Sequence, residues 1–223
     1  MKSSKLTILV LMICAGAGLA QAAKVTTTPV DISAVTNTTW CSGEINNCST
    51  YPVGAQTYDG IPYLIPGNAQ GTANNFWSAE IAAGGGSGTV SVTVPINVPK
   101  VKTVYTLMNT LWGSTQSGLI TITFTGSNGA TWTFNPVGNV NVRDYNSGGT
   151  TNNIACQLPG GVGQSATINA WVNGDGQRLD EQVFELPAAF KTQTLVSMTI
   201  TDNGNTGQQR SFLAAVTVST LVP

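Results

Sequence analysis

The sequence predicts an all-β fold, built as a single antiparallel β-sandwich, and three observations carry that prediction. Short apolar runs with period-two alternation recur along the chain, as in TVSVTV (Thr89 to Val94), ITITF (Ile120 to Phe124) and TLVSMTITD (Thr194 to Asp202). Between them lie clusters of Gly, Asn, Ser and Pro, the residues turns require. Charged residues make up only 9% of the 223, far below the usual quarter, and no segment keeps a helical period beyond a turn or two.

Residues 1–23 are expected to be a cleaved signal peptide. MKSSK supplies a charged start, LTILVLMICAGAGL an apolar stretch and Ala20-Gln21-Ala22 a small-residue cleavage site. The apolar run is shorter than the roughly 20 residues a membrane span needs. Residues 24–223 then form one sandwich domain, secreted, periplasmic or held at the cell surface, with no membrane span after processing. Without Lys2 and Lys5, seven basic and ten acidic side chains remain, a net charge near −3. Nothing there supplies the basic stripe that nucleic-acid binding needs.

In chain order, Lys24 to Pro29 is a Thr-rich lead-in and Val30 to Ile32 a first edge strand. Asn37 to Pro52 is polar and turn-rich, a surface loop that Cys41 and Cys48 are close enough in sequence to staple with a disulfide in an oxidising compartment. Cys156 is then the odd thiol, either buried or paired with one of these. Tyr58 to Pro66 is extended, and Pro62 and Pro66 place it at an edge. Gly84-Gly85-Gly86 lies in a flexible turn, after which Thr89 to Val94 is a strand that Pro95 and Pro99 end.

The densest apolar stretch, VYTLMNTLWG (Val104 to Gly113), has large side chains on both faces and reads as a strand covered on both sides, with Trp112 in the core. Ile120, Ile122 and Phe124 then point inward and Thr121 and Thr123 outward. The two runs form a hairpin or the two sides of a sheet corner. Asn128-Gly129 is a tight-turn signal leading to a partner strand, Ala130 to Phe134. Asn139 to Tyr145 is a short strand, Asn146 to Gly163 a long loop, and Thr167 to Val172 a strand. Val183 to Leu186 is a short strand or edge, and Thr194 to Asp202 and Ser211 to Leu221 close the domain.

Chemistry-bearing groups are few. With no histidine, Ser-His-Asp and Cys-His catalysis are excluded, and zinc lacks ligands. Each arginine lies near an acid in sequence: Arg143 beside Asp144, Arg178 near Asp180, Arg210 eight residues after Asp202. Such pairs either fix loops or line a sugar site, where their donors and acceptors match vicinal hydroxyls; Arg143, Asp144, Tyr145, Arg178 and Asp180 are the candidate ligand-binding residues. Asp202, Asn203 and Asn205 bring hard oxygens and glycine into one turn, so a structural calcium is the one cofactor left open. Trp40, Tyr51, Tyr58, Tyr63, Trp77 and Tyr145 fall in loops or at strand ends, where rings could stack on sugars. The acids Asp175, Asp180, Glu181 and Glu185 form the nearest carboxylate cluster for glycoside chemistry, although acids so close in sequence usually mark a solvated edge.

RLDEQVFELP (Arg178 to Pro187), TLVSMTITDNG with QRSFLAAVTV (Thr194 to Val218) and the central VYTLMNTLWG strand resemble the galactose-binding-like jelly-roll sandwiches of exported bacterial proteins. The resemblance covers about the last two-thirds of the chain after the leader. It implies a non-catalytic module that binds carbohydrate, sometimes with a structural calcium. The expected function is therefore polysaccharide or glycan binding through loop-rich edges. The alternatives are a structural or adhesive surface protein and, with less weight, a carboxylate-dependent glycosidase or polysaccharide lyase.

Overall fold

The computed structural model describes residues 24–40, 51–68, 71–138, 141–146, 156–158, 161–204 and 209–222. The expected signal peptide, Cys41, Cys48, Asn205 and the Cys156 side chain lie outside the described residues.

Thirteen strands form among the described residues: β1 (Lys24–Val30), β2 (Gly54–Tyr58), β3 (Ile61–Ile65), β4 (Trp77–Ser78), β5 (Val90–Pro99), β6 (Val101–Leu111), β7 (Ile120–Gly126), β8 (Thr131–Phe134), β9 (Cys156–Leu158), β10 (Val162–Val172), β11 (Arg178–Glu185), β12 (Thr194–Asp202) and β13 (Arg210–Val222). The helical pieces among the described residues are one short helix, α1 (Ala79–Ala82), and 3-10 turns at Ser33–Val35 and Ala188–Thr192. All strand pairings are antiparallel. A seven-stranded sheet runs β1-β13-β6-β11-β10-β9 with β4 added on β13, a four-stranded sheet runs β5-β12-β7-β8, and β2-β3 stand apart as a hairpin. The result is an all-β antiparallel sandwich, compatible with a jelly roll.

Alternation explains the main core. Val92, Val94, Ile122, Phe124, Met198 and Ile200 from the small sheet meet Val104, Met108, Phe184, Leu213 and Val216 from the large one. The outward positions of the small sheet are uncharged and bonded across strands, Ser91 to Thr201 and Thr93 to Thr199 at 2.9 Å and Thr123 to Thr133 at 3.2 Å. A second core lies on the other side of the large sheet, where Trp40, Tyr51, Tyr63, Ile65, Phe76, Leu107 and Phe212 pack together. The β2-β3 hairpin supplies Tyr63 and Ile65 to it and lies as a flap against β13 and β1. Asp59 and Gly60, both with positive φ (45° and 78°), close this hairpin, and Thr217 Oγ1 donates to the Pro62 carbonyl at 2.6 Å.

Both faces of β6 are covered, as its composition predicts, because it lies between β13 and β11 with a core on each side. It does not pair with β7: the two lie in different sheets, so the corner reading holds and the hairpin does not. The β7–β8 hairpin forms, turning at Gly129 with φ 78°.

Several expectations change: Lys24 to Pro29, read as a lead-in, is strand β1 paired with β13, and the stretch read as the loop Asn146 to Gly163 contains β9 and the start of β10. Strand β5 runs through Pro95 to Pro99, because it is an edge strand paired only with β12 and Pro95 sits where that pairing shifts register. Residues 178–185 are a central strand rather than a short edge, held by β6 on one side and β10 on the other. In the stretch read as the strand Asn139 to Tyr145, Val142 and Asp144 make only isolated parallel bridges, to Gly138 and Thr110. Trp112 leaves β6 with φ 48° and is only half-buried against the second core, while Ile122 is core.

Candidate ligand-binding site

Arg143, Asp144, Tyr145, Arg178 and Asp180 come together at one end of the sandwich, but their pairing is crossed. Adjacent residues of an extended chain point to opposite sides, so Arg143 does not meet Asp144. Its Nε and Nη2 instead fork onto Asp180, at 2.8 Å to Oδ2 and 2.5 Å to Oδ1. Arg178 turns to the other segment, donating from Nε to the Asp144 carbonyl and from Nη2 to the Asn146 carbonyl, both at 2.9 Å.

Backbone bonds fix the segment that carries Arg143. Thr110 N donates to the Arg143 carbonyl at 2.9 Å, Tyr145 N to the Thr110 carbonyl at 2.8 Å, and Arg178 N to the Tyr145 carbonyl at 2.8 Å. The Asp144 carboxylate accepts from Gly113 N at 2.6 Å and from Asn146 N at 2.8 Å, so it shapes two turns. Tyr145 places its ring edge-on to Trp40 and Phe212.

Asp180, on β11, is fully buried. Asn109 on β6 donates to its Oδ2 at 2.7 Å and accepts from its backbone N at 2.8 Å. The carboxylate thus takes three charge-assisted or amide bonds. Arg143 is 12% exposed along its side chain. Its Nη2 also reaches Asn169 Oδ1, on an exposed residue of β10, and its Nη1 has no partner among the described residues. Burial, and behind it the like charge of Arg143, lower the pKa of Arg178, with Asp180 and Asp144 pulling it back up. Asn109 and Asn169, which sequence reasoning passed over, complete this cluster. Isolated amides on two strands far apart in sequence carried no signal of it.

The candidate calcium turn is built differently. Asp202 ends β12 and is fully buried. Its Oδ1 accepts from Gly204 N at 2.8 Å and Arg210 Nη1 at 3.0 Å, and its Oδ2 from Ser211 N and Oγ, both at 2.7 Å. Arg210 also donates to the carbonyls of Gly88, at 3.1 Å, and Gly86, and its Nε lies 3.8 Å from Glu80 Oε2. The cation among these oxygens is the guanidinium, and the glycine turn of residues 84–88 supplies carbonyls to it. A Cβ at Gly204 would come within 2.7 Å of Arg210, so that turn needs glycine. Asn203 Nδ2 donates to the Gly118 carbonyl at 2.8 Å. Among the described residues no three Cys, Asp or Glu gather as a metal-ligand group.

The loop aromatics are mostly internal. Trp40, Tyr51, Tyr63 and Trp77 are buried, and Tyr58 and Tyr145 are half-buried, so the first four make core rather than an exposed platform. Nor are Asp180 and Glu181 on a solvated edge: both are buried on a central strand, and they point to opposite faces, one to Arg143 and the other to Tyr63. No protein-family model matches the chain, and no curated protein is similar to it.

Proposed function

We propose that this is an exported, non-catalytic sandwich that binds a polysaccharide or glycan at the end where Arg143, Asp180 and Asn169 meet. The observation that carries the reading is the anchored guanidinium. Asp180 holds Arg143 in one orientation, and the partly exposed guanidinium reaches the exposed Asn169 through Nη2. Fixed donors beside an amide suit vicinal hydroxyls, and their prior ordering lowers the entropy cost of binding. The resemblance to galactose-binding-like modules of exported bacterial proteins agrees with it.

A structural or adhesive role without a small ligand is the second reading. Two observations favour it: the aromatic rings are spent on the core, and the bare outer face of the small sheet is a neutral array of hydroxyls bonded to one another.

A glycan array and polysaccharide pull-down decide between the two. Wild type is expected to be retained on at least one neutral glycan, and Asn169→Ala to weaken that retention about tenfold, the cost of one or two hydrogen bonds at a rim, without lowering thermal stability. Retention on no glycan of a broad panel refutes the binding reading and leaves the structural one.

A further inference from the structure

Tyr63 and Glu181 connect the flap to the middle of the large sheet. Glu181 is 1% exposed, in register with Leu107 of β6 and Ile168 of β10. Tyr63, as deeply buried on β3, donates its phenolic hydrogen to Glu181 Oε2 at 2.6 Å. This is the only side-chain hydrogen bond of Glu181 among the described residues.

The groups that act on this carboxyl carry no positive charge. The flap contributes Tyr63 and, at its tip, Asp59; β6 contributes Tyr105, which bonds to Thr103 and to Ser219 of β13 and also feels Glu185. The register partner from β10 is Ile168. Each of the titratable neighbours is neutral or negative, so an ionised Glu181 would be a buried anion steadied by one phenol.

We propose that the Tyr63–Glu181 pair is a proton-operated latch, which holds the β2-β3 flap on the large sheet while Glu181 is protonated and loosens it once Glu181 ionises. Burial raises the Glu181 carboxyl to about 7, against a lowering by the Tyr63 hydrogen bond and with a further push from Asp59. Burial also drives the Tyr63 phenol upward, so it stays a donor throughout. The folded value lies above the ordinary 4.5. The stabilisation is therefore complete below that ordinary value and is lost as pH rises through about 7. The latch is independent of what the protein binds.

Hydrogen–deuterium exchange of the full chain tests it, with protection factors corrected for intrinsic rates at about pH 5 and about pH 8.5. Backbone amides of β2 and β3 are expected to lose at least about tenfold in protection at the higher pH, while β12 in the other sheet holds. Glu181→Gln, which cannot ionise, is expected to keep the flap protected at both values. Equal flap protection at the two pH values, or an undiminished loss in Glu181→Gln, overturns the proposal. Carbon-13 titration of the Glu181 carboxyl in wild type gives a check that needs no variant: a midpoint near 7 coinciding with the flap transition supports the latch, and an ordinary midpoint sinks it.

Discussion

Asp202→Ala is expected to lower the unfolding free energy by about 3–5 kcal/mol, the cost of leaving a buried charge without its partner. Arg210 is 2% exposed and would keep only the Gly86 and Gly88 carbonyls and the more distant Glu80 carboxylate. The Ser211 hydroxyl and backbone N–H would also lose their acceptor, and each orphaned buried donor adds to the penalty. Urea denaturation measures the change as a shift of the midpoint at constant slope. A loss under about 1 kcal/mol would be the size of an exposed ion pair and would contradict a structural lock at this site.

Trp40→Ala is expected to cost about 3–5 kcal/mol, the range for deleting a large ring from a closed core. The ring is fully buried and stacks on Tyr51 at 4.4 Å, with Phe76, Tyr145, Trp171 and Phe212 set edge-on around it. No single neighbour can fill the space it leaves. Trp112→Ala serves as the comparison and should cost clearly less, because Trp112 is only partly buried at the margin of the second core and already holds a positive φ that a large L-residue tolerates poorly. Thermal melts of the two variants in parallel would reveal the reverse order if the second core were loose.

Where one face of a strand meets core and the other meets water, the sequence announced the structure. Ile120, Ile122 and Phe124 alternate with threonines, and their strand lies where that pattern puts it. Strand β11 was legible only at its end, Val183 to Glu185, for the opposite reason. It is buried on both faces, yet carries Arg178, Asp180, Glu181 and Gln182, so its polarity imitates a solvated edge. Partners elsewhere in the sequence make its burial tolerable, Asn109 and Arg143 for Asp180, Tyr63 for Glu181, the Asp144 and Asn146 carbonyls for Arg178 and Thr167 for Gln182. The aromatics of residues 40–77 misled similarly, since turn-rich flanks said nothing about a flap folding them inward. Of the site, the cluster of Arg143, Asp144, Tyr145, Arg178 and Asp180 was legible as a set, whereas its crossed pairing depended on strand geometry that adjacency conceals.

The guanidinium lock also carries a consequence for the order in which the chain comes together. Arg210 reaches carbonyls 122 and 124 residues away, at Gly88 and Gly86, so it can close only after the stretch before β5 has met the start of β13. Contacts of such long reach are costly to form early. The long-range part of the lock should be absent from the transition state, and Arg210→Ala, which removes it, should then speed unfolding more than it slows refolding. Stopped-flow chevrons would show the loss in the unfolding arm, which makes Arg210 a determinant of how long the folded protein lasts rather than how fast it forms.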